Sequence, residues 1–499
     1  MIHSPLTVNV MLWGTWIGRL SWDADKQLSV FQFTEDYLKC PYDICPTTHR
    51  KGTGKPAAFF GKAGELYQGL PEFIADSLPD KWGSSLFDQW MTDNNVSLMD
   101  STPLLKLSYI GKRAMGALEF IPDYPEENDK ESLNIAALAD LAAEVYKDRS
   151  KAVLSGIESI TMKKLIYLGT SAGGKRPKAV VAYNPKTGEF RSGQVDLPED
   201  FKHYIIKFKE DPETPTSEIE MIWHEMAKES GISMMPCFLK EVDGINHFIT
   251  ERFDRIGSEK VFTQTLAAIL PGADDYLKLA WLSNTLGLPQ EDRDQIFIRM
   301  VFNYVAGVSD DHNKNFSFLM DESGRWSLAP AYDMTYIFSV GGYLPETHHC
   351  LLVKGKYTDI TLHDVLELAA DNGIRKADTI IADVVEALRS FRTLAEKNGV
   401  QERWTSAVET TLLHNLEMWG FCSPRTFEPY TDANGRHVEN LRIEQQYKGN
   451  YHLLATIDGT ERKAVIRTKT VEHDEISRHG VPNLADEYLK RLVDKFLKA

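Results

Sequence analysis

Along the chain the apolar positions change their period several times. Val8, Val10 and Leu12 alternate with polar or small neighbours, and Gly14-Thr15 separates them from Trp16-Ile17-Gly18-Arg19-Leu20, which predicts an opening β-hairpin. From Gly69 to Met91, Phe73, Ile74, Leu78, Leu86, Phe87 and Trp90 recur every three or four positions, the spacing of a helix face, with one break at Pro79-Asp80. Pro103 to Ile121 is apolar and punctuated by Gly111 and Gly116; the charged, Pro-containing stretch from Asp123 to Glu131 reads as a linker. An Ala/Leu period marks a helix from Ile135 to Val153. The character then changes. A Gly-rich segment from Gly169 to Pro177 feeds the β-like run Ala179–Tyr183, and His203 to Phe208 is a second such run. Glu218 to Ser230 predicts a helix with Ile219, Ile222, Met226 and Ala227 on one face and Gly231 as its stop. Beyond residue 290 the pattern is mostly helical, most clearly over Asp294–Gly307 and Ile380–Asn398. Near the end, Tyr451–Ile457 and Arg462–Arg467 flank Asp458-Gly459, a hairpin signal, and Ala485–Lys498 reads as an amphipathic helix.

Composition narrows the picture. At 499 residues the chain has room for about three compact units. It has no run of about 18 uncharged apolar residues, which argues against a membrane span, and Met1 to Leu12 lacks the layout of a secretory signal. With 56 Lys+Arg against 72 Asp+Glu, the net charge of −16 argues against a chain that coats nucleic acid unaided. Five scattered cysteines predict reduced thiols and a cytoplasmic protein. Cys40, Cys45 and His49 suggest a metal clip only superficially, since no second pair lies at ligand spacing and structural zinc needs four ligands.

Three segments carry candidate chemistry. Gly169 to Lys175 satisfies the P-loop core, but Arg176 stands where the metal-binding hydroxyl belongs and a β-like run follows where a helix should. The alternative is a loop between two strands that covers nucleotide phosphates, its small residues admitting backbone amides to anionic oxygens while Lys175, Arg176 and Lys178 add charge. Lys207, inside an apolar strand, is the candidate cation for phosphate. Glu220 on the following helix is the carboxylate to hold it, with Glu218 and Glu225 as competitors. The strongest signal is Val308-Ser309-Asp310-Asp311-His312-Asn313-Lys314-Asn315-Phe316. Asp310 precedes Asn315 by five positions, the spacing of the kinase catalytic loop, in which the aspartate meets the acceptor hydroxyl and the amide turns back to a metal. Asp333, eighteen residues on, could supply the hard oxygen that Mg²⁺ requires. Each residue alone reads more simply as a turn or cap; their joint order points to phosphoryl transfer.

The ordered segments LGTSAGGKRPKA (Leu168–Ala179), HYIIKF (His203–Phe208), ERFDR (Glu251–Arg255), SDDHNKNFSF (Ser309–Phe318) and LAPAYD (Leu328–Asp333) resemble the HipA family of toxin–antitoxin serine/threonine kinases. So do Ser108–Gly111 with Gly116–Leu118, and His349–Gly355; the resemblance spans residues 8 to 400. It implies a mixed α/β, kinase-like two-lobed fold, with a small β-containing N-terminal subdomain over 1–125, an N-lobe over 135–255 and a mainly helical C-lobe over 256–420. Residues 421–499 form an extension with no recognised counterpart. It also implies ATP and Mg²⁺ as cofactors, with Asp310 as catalytic base and Asn315 and Asp333 as metal ligands. Gly173, Gly174, Lys178, Lys207 and His312 would surround the nucleotide. Glu251 and Phe253 would lie in the adenine hinge, and Asp254 near the ribose. Family members carry an autophosphorylated serine in the Gly-rich loop, for which Thr170 and Ser171 are the hydroxyls here; Lys175-Arg176-Pro177 departs from the best-known members. The resemblance further implies a protein substrate such as an aminoacyl-tRNA synthetase, and a small DNA-binding antitoxin through which operator DNA is reached. The competing readings are a small-molecule kinase of related fold and a non-catalytic nucleotide-binding regulator.

Overall fold

A computed structural model describes residues 4–52, 58–123, 132–147, 157–170, 174–194, 197–338, 349–421, 428–446, 450–467, 469–479 and 484–497. Most of the expected linker, the end of the expected helix after residue 147, and Ser171 and Gly173 lie outside these residues. The chain divides into two compact units: Met1–Lys228, Ile232–Ile296 and Asp311–Thr335 form the first, and Glu229–Gly231, Phe297–Asp310 and Tyr336–Ala499 the second.

The first unit opens with strands β1 (Thr7–Leu12) and β2 (Thr15–Asp23), joined by a tight turn at Trp13-Gly14, one residue earlier than expected. Trp13 and Gly14 both take positive φ (48° and 75°), the geometry that matches the twist of a two-residue hairpin. With β3 (Leu28–Phe33), β4 (Ala58–Phe60) and β5 (Leu118–Ile121) they form a sheet of order β4-β3-β2-β1-β5. Period-two alternation buries Val8, Val10, Leu12, Leu20 and Phe31. Four helices belong to this region: α1 (Glu35–Lys39), α2 (Glu72–Ala75), α3 (Lys81–Asp93) and α4 (Pro103–Ile110). The break between α2 and α3 falls at Pro79-Asp80, as the period predicted, because proline restricts the residue before it and Asp80 then enters α3 in extended geometry.

Two longer helices follow, α5 (Ile135–Lys147) and α6 (Ile157–Gly169). Trp82, Leu86, Phe87 and Trp90 of α3 share one core with Leu138 and Ala142 of α5, Leu165 and Ile166 of α6, and the inner face of a second sheet. That sheet consists of β6 (Lys178–Tyr183), β7 (Phe190–Ser192), β8 (Lys202–Lys207), β9 (Cys237–Val242) and β10 (Ile245–Glu251), antiparallel throughout, in the order β7-β6-β8-β10-β9. Helix α7 (Thr216–Glu229) starts two residues before the predicted point and buries Ile219, Ile222, Trp223 and Met226. The Gly-rich segment does not join two strands as expected; it leads from α6 into β6. The cause is the apolar spacing of Met162, Leu165 and Ile166, which commits the preceding stretch to a buried helix.

After β10 come the short pair β11 (Arg255–Ile256) and β12 (Glu259–Lys260), then β13 (Phe262–Thr265), helices α8 (Leu266–Ile269), α9 (Tyr276–Thr285) and α10 (Gln290–Val305), and strands β14 (Ser317–Met320) and β15 (Trp326–Leu328). Strands β13, β14 and β15 make a small antiparallel sheet, and the segment before Ser317 leads into its central strand β14.

In the second unit, α11 (Leu362–Asp371), α12 (Ala377–Leu388), α13 (Phe391–Lys397) and α14 (Glu402–Met418) are consecutive helices. The single helix expected over Ile380–Asn398 is two. Arg389 and Ser390 carry amides that bond three residues back (3.1 Å each), tightening the turn between them. The extension is a meander of β16 (Tyr430–Thr431), β17 (His437–Gln446), β18 (Asn450–Ile457) and β19 (Thr460–Ile466), followed by α15 (Val471–His479) and α16 (Asp486–Phe496). The hairpin at Asp458-Gly459 is present, with both residues at positive φ (47° and 78°). Among the described residues no helix is long and apolar enough to cross a membrane.

Candidate active site

Strand β6 pairs with β8 so that Lys178 stands opposite Lys207. Directly paired residues point to the same side of a sheet, so two ammonium groups share one face. Lys207 donates to Glu220 Oε1 and to Asp333 Oδ1. Helix α7 decides which acid takes this place. Its apolar face is turned inward and Glu220, between Ile219 and Ile222, is buried with it. Glu218, one competitor, is engaged elsewhere: it accepts from Lys209 Nζ (3.0 Å) and Asn246 Nδ2 (3.0 Å).

The charges in this cluster support one another. Burial alone would lower the Lys207 ammonium, but Asp333 and Glu220 outweigh it and hold its pKa above the ordinary lysine value. Burial would raise the Asp333 carboxyl, but Lys207 and then Lys178 hold it well below the usual range, and His312 acts in the same sense. Lys178, only 5% exposed, is pushed down chiefly by burial, which Asp333 partly offsets. Asp333 takes a left-handed backbone conformation (φ 54°), which aspartate tolerates better than most residues.

The segment from Asp311 to Phe316 is tied to its own backbone, to α8 and to neighbouring side chains. Leu266 N donates to Phe316 O (2.7 Å) and Ala267 N to Asn313 O (3.1 Å), while Asn315 N bonds His312 O (2.8 Å). His312 Nδ1 accepts from Lys314 N (3.2 Å), and Tyr332 OH, one residue before Asp333, donates to Lys314 O (2.6 Å). Asp311 is buried and its Oδ2 accepts from Tyr276 OH (3.1 Å). Asp310 belongs to the second unit, where the Cys350 thiol lies 3.9 Å from its Oδ1.

Gly174 has a positive φ (106°), a conformation that favours glycine, and Lys178 Nζ lies against the position a Cβ would take there. Its amide donates to Asp80 Oδ2 (2.6 Å), and the other oxygen of Asp80 accepts from Lys314 Nζ (2.6 Å). Burial would raise the Asp80 carboxyl, but Lys314 and the Gly174 amide bring it below its ordinary value. Thr170, one of the two candidate loop hydroxyls, is buried and donates to Ile166 O (2.5 Å) at the end of α6.

At the end of β10, Glu251 pairs with Lys202 (3.0 Å), and the Phe253 ring lies 5.5 Å from that of Tyr332. Asp254 is held in a buried cluster of donors. It is 1% exposed and takes Arg252 Nε and Nη2 (2.8 Å each), Arg255 Nη1 (2.9 Å) and Gly116 N (2.7 Å). These donors fix the Gly116 segment to the end of the sheet and turn both oxygens inward. Asp80 was invisible as a site residue in the sequence, where it reads as a helix break. Lys314 lay in view within the loop motif, with nothing local to name its partner.

A five-stranded antiparallel sheet carrying a Lys–Glu pair, with an acidic residue from a following loop on the same lysine, defines the kinase-like fold class. The chain belongs to the HipA family: the HipA N-terminal domain matches residues 8–121 and the HipA-like C-terminal domain residues 170–391. It is 23% identical over 363 residues to the serine/threonine-protein kinase toxin HipA of Shewanella oneidensis, covering 66% of this chain and 75% of that protein. Its fold is similar to that in the Shewanella oneidensis MR-1 complex of HipA, HipB and operator DNA. There the TM-score is 0.58 at 19% identity, covering 83% of this chain and 97% of the other.

Proposed function

We propose that this protein is a HipA-type serine/threonine kinase that transfers the γ-phosphate of ATP to a protein hydroxyl, as the toxin of a toxin–antitoxin pair acting in the cytoplasm. The observation that carries the reading is Lys207 held between Glu220 and Asp333 and paired across the sheet with Lys178, whose Nζ lies against Gly174. A cation locked by a helix carboxylate is what positions a triphosphate in kinases. Asn315 and Asp333 suit Mg²⁺, an ion commonly bound by one or two protein oxygens plus phosphates, and the depressed Asp333 carboxyl favours the ionised ligand. When bound, the metal would neutralise phosphate charge. Lys207 and Lys178 would orient the phosphates, and Asp310 would accept the hydroxyl proton. The antitoxin and operator DNA of the related Shewanella complex make a small DNA-binding protein the expected partner here. An aminoacyl-tRNA synthetase is the expected class of substrate.

The test is transfer of label from γ-labelled ATP to protein in a cell lysate. Wild type should label itself or a lysate protein. Asp310→Asn should reduce transfer by about 10²-fold or more while ATP still binds. Equal labelling by both forms would remove Asp310 as the base. Label confined to small metabolites would replace the protein substrate, and ATP binding with no transfer at all would make the chain a regulator.

A further inference from the structure

Asp80 stands 94 residues from Gly174 and 234 from Lys314, yet its two oxygens divide between them. It is the residue that begins α3, where an aspartate would ordinarily cap its own helix amides. Asp80 makes no such side-chain cap. Its carboxylate is instead committed to the loop above the lysine pair and to the catalytic loop.

The surroundings fix it there. Trp82 N donates to Gly174 O (3.4 Å) and Trp82 Nε1 to Lys178 O (2.9 Å). A Cβ at Gly83 would collide with Thr170 O, so the first turn of α3 lies directly against the end of α6. Four residues before Asp80, Asp76 accepts from Thr265 N and Thr265 Oγ1 (2.7 Å each). Thr265 caps α8, the helix whose Ala267 amide holds Asn313. Two carboxylates of the N-terminal segment therefore brace the catalytic loop from two sides, and one of them also reaches the Gly-rich loop.

We propose that Asp80 is a positioning residue that latches the Gly174 loop to the catalytic loop through Lys314 and thereby sets the affinity for a nucleoside triphosphate. The proposal rests on the kinase reading above. Hydrogen bonds to charged groups are individually strong, so loss of both leaves Gly174 with the longer bond from Trp82 N (3.4 Å) as its tie to α3.

The experiment compares wild type with Asp80→Ala and the isosteric Asp80→Asn in the full chain. Amide exchange is followed over residues 174–178 without nucleotide, and affinity is measured for Mg²⁺ with a non-hydrolysable ATP analogue. Asp80→Ala should speed exchange and weaken nucleotide binding by about tenfold or more. The ATP KM should rise in step while kcat changes less. Asp80→Asn can still accept from Gly174 but loses the ion pair, so it should fall between the two; it also serves if the alanine variant does not fold. Exchange within twofold of wild type would overturn the latch. Faster exchange with unchanged nucleotide affinity would overturn its coupling to binding. If wild type itself binds no nucleotide, the kinase reading fails and the coupling with it, while exchange still decides whether the latch exists.

Discussion

A cation held between two carboxylates persists only while all three groups keep their charge, and Lys207 is such a cation. The signs can be worked through. Asp333 has a lowered pKa in the fold, so its contribution is complete above the ordinary carboxylate value and disappears only as pH falls through the lower folded one. Lys207 has a raised pKa, so its contribution is complete below the ordinary lysine value and is lost as pH rises through the higher folded one. The cluster is therefore intact across the neutral range. Lys207→Met leaves Glu220 and Asp333 near each other without the ion between them. Removing one partner of a buried pair typically costs about 3–5 kcal/mol, and because the Asp333 side chain is 35% exposed and Lys178 stays nearby the lower end applies. Denaturant unfolding should show a loss of about 3 kcal/mol at pH 7 that shrinks at pH 5, where Asp333, no longer held down by Lys207 and raised by burial, begins to take up a proton. A loss that is the same at both pH values would show that charge does not hold the site together.

At the scale of elements, the strands and helix around Lys207 carry three buried histidines: His203 on β8, His224 on α7 and His247 on β10. Burial, followed by nearby cations, lowers each from its ordinary value to about 4. These are neutral in the fold and protonate more readily in the unfolded chain, so stability is lost as pH falls from about 6.5 towards 4. Each contributes on the order of 1–3 kcal/mol to that slope. The unfolding midpoint should fall steeply over this window, and His224→Phe should flatten the fall; an unaltered slope would clear His224. The elements themselves were largely legible. Asp458-Gly459 announces its hairpin because few other residue pairs accept two positive φ values, and the face of α7 shows because apolar side chains must be buried together. The split between α12 and α13 was hidden, since Arg389-Ser390 contains neither glycine nor proline. Lys207, Glu220 and Asp333 were found by their order along the chain, and their meeting is a matter of register that order alone does not state. Asp80 was not found, because periodicity describes only neighbours in sequence and its partners are tertiary.

At the scale of the whole molecule, the matched HipA domains end at residue 391, while the described structure continues to residue 497. The last stretch is more than a tail. Val438, Leu441, Ile443, Leu453, Ile457 and Ile466 from the meander pack with Ile476, Leu489, Leu492 and Val493 from α15 and α16, and every residue of this core lies between 438 and 497. Polar ties also close on themselves: Arg436 bonds Asp432 (2.6 Å) and Leu497 O (2.8 Å). A layer with its own hydrophobic core can be removed without opening another core. The groups assigned to phosphate, metal and base lie between Gly174 and Asp333, well before this layer begins. Deleting residues 422–499 should therefore leave nucleotide affinity and labelling of protein within about twofold, because the residues supplying them and the helices packed behind their sheet are all retained. Calorimetry of the full chain should correspondingly show more than one cooperative transition, the smaller one absent after truncation. Loss of nucleotide binding on deletion would mean that the extension supports the kinase unit directly. Retained binding with loss of labelling would instead assign the meander and its helices to the capture of the protein substrate.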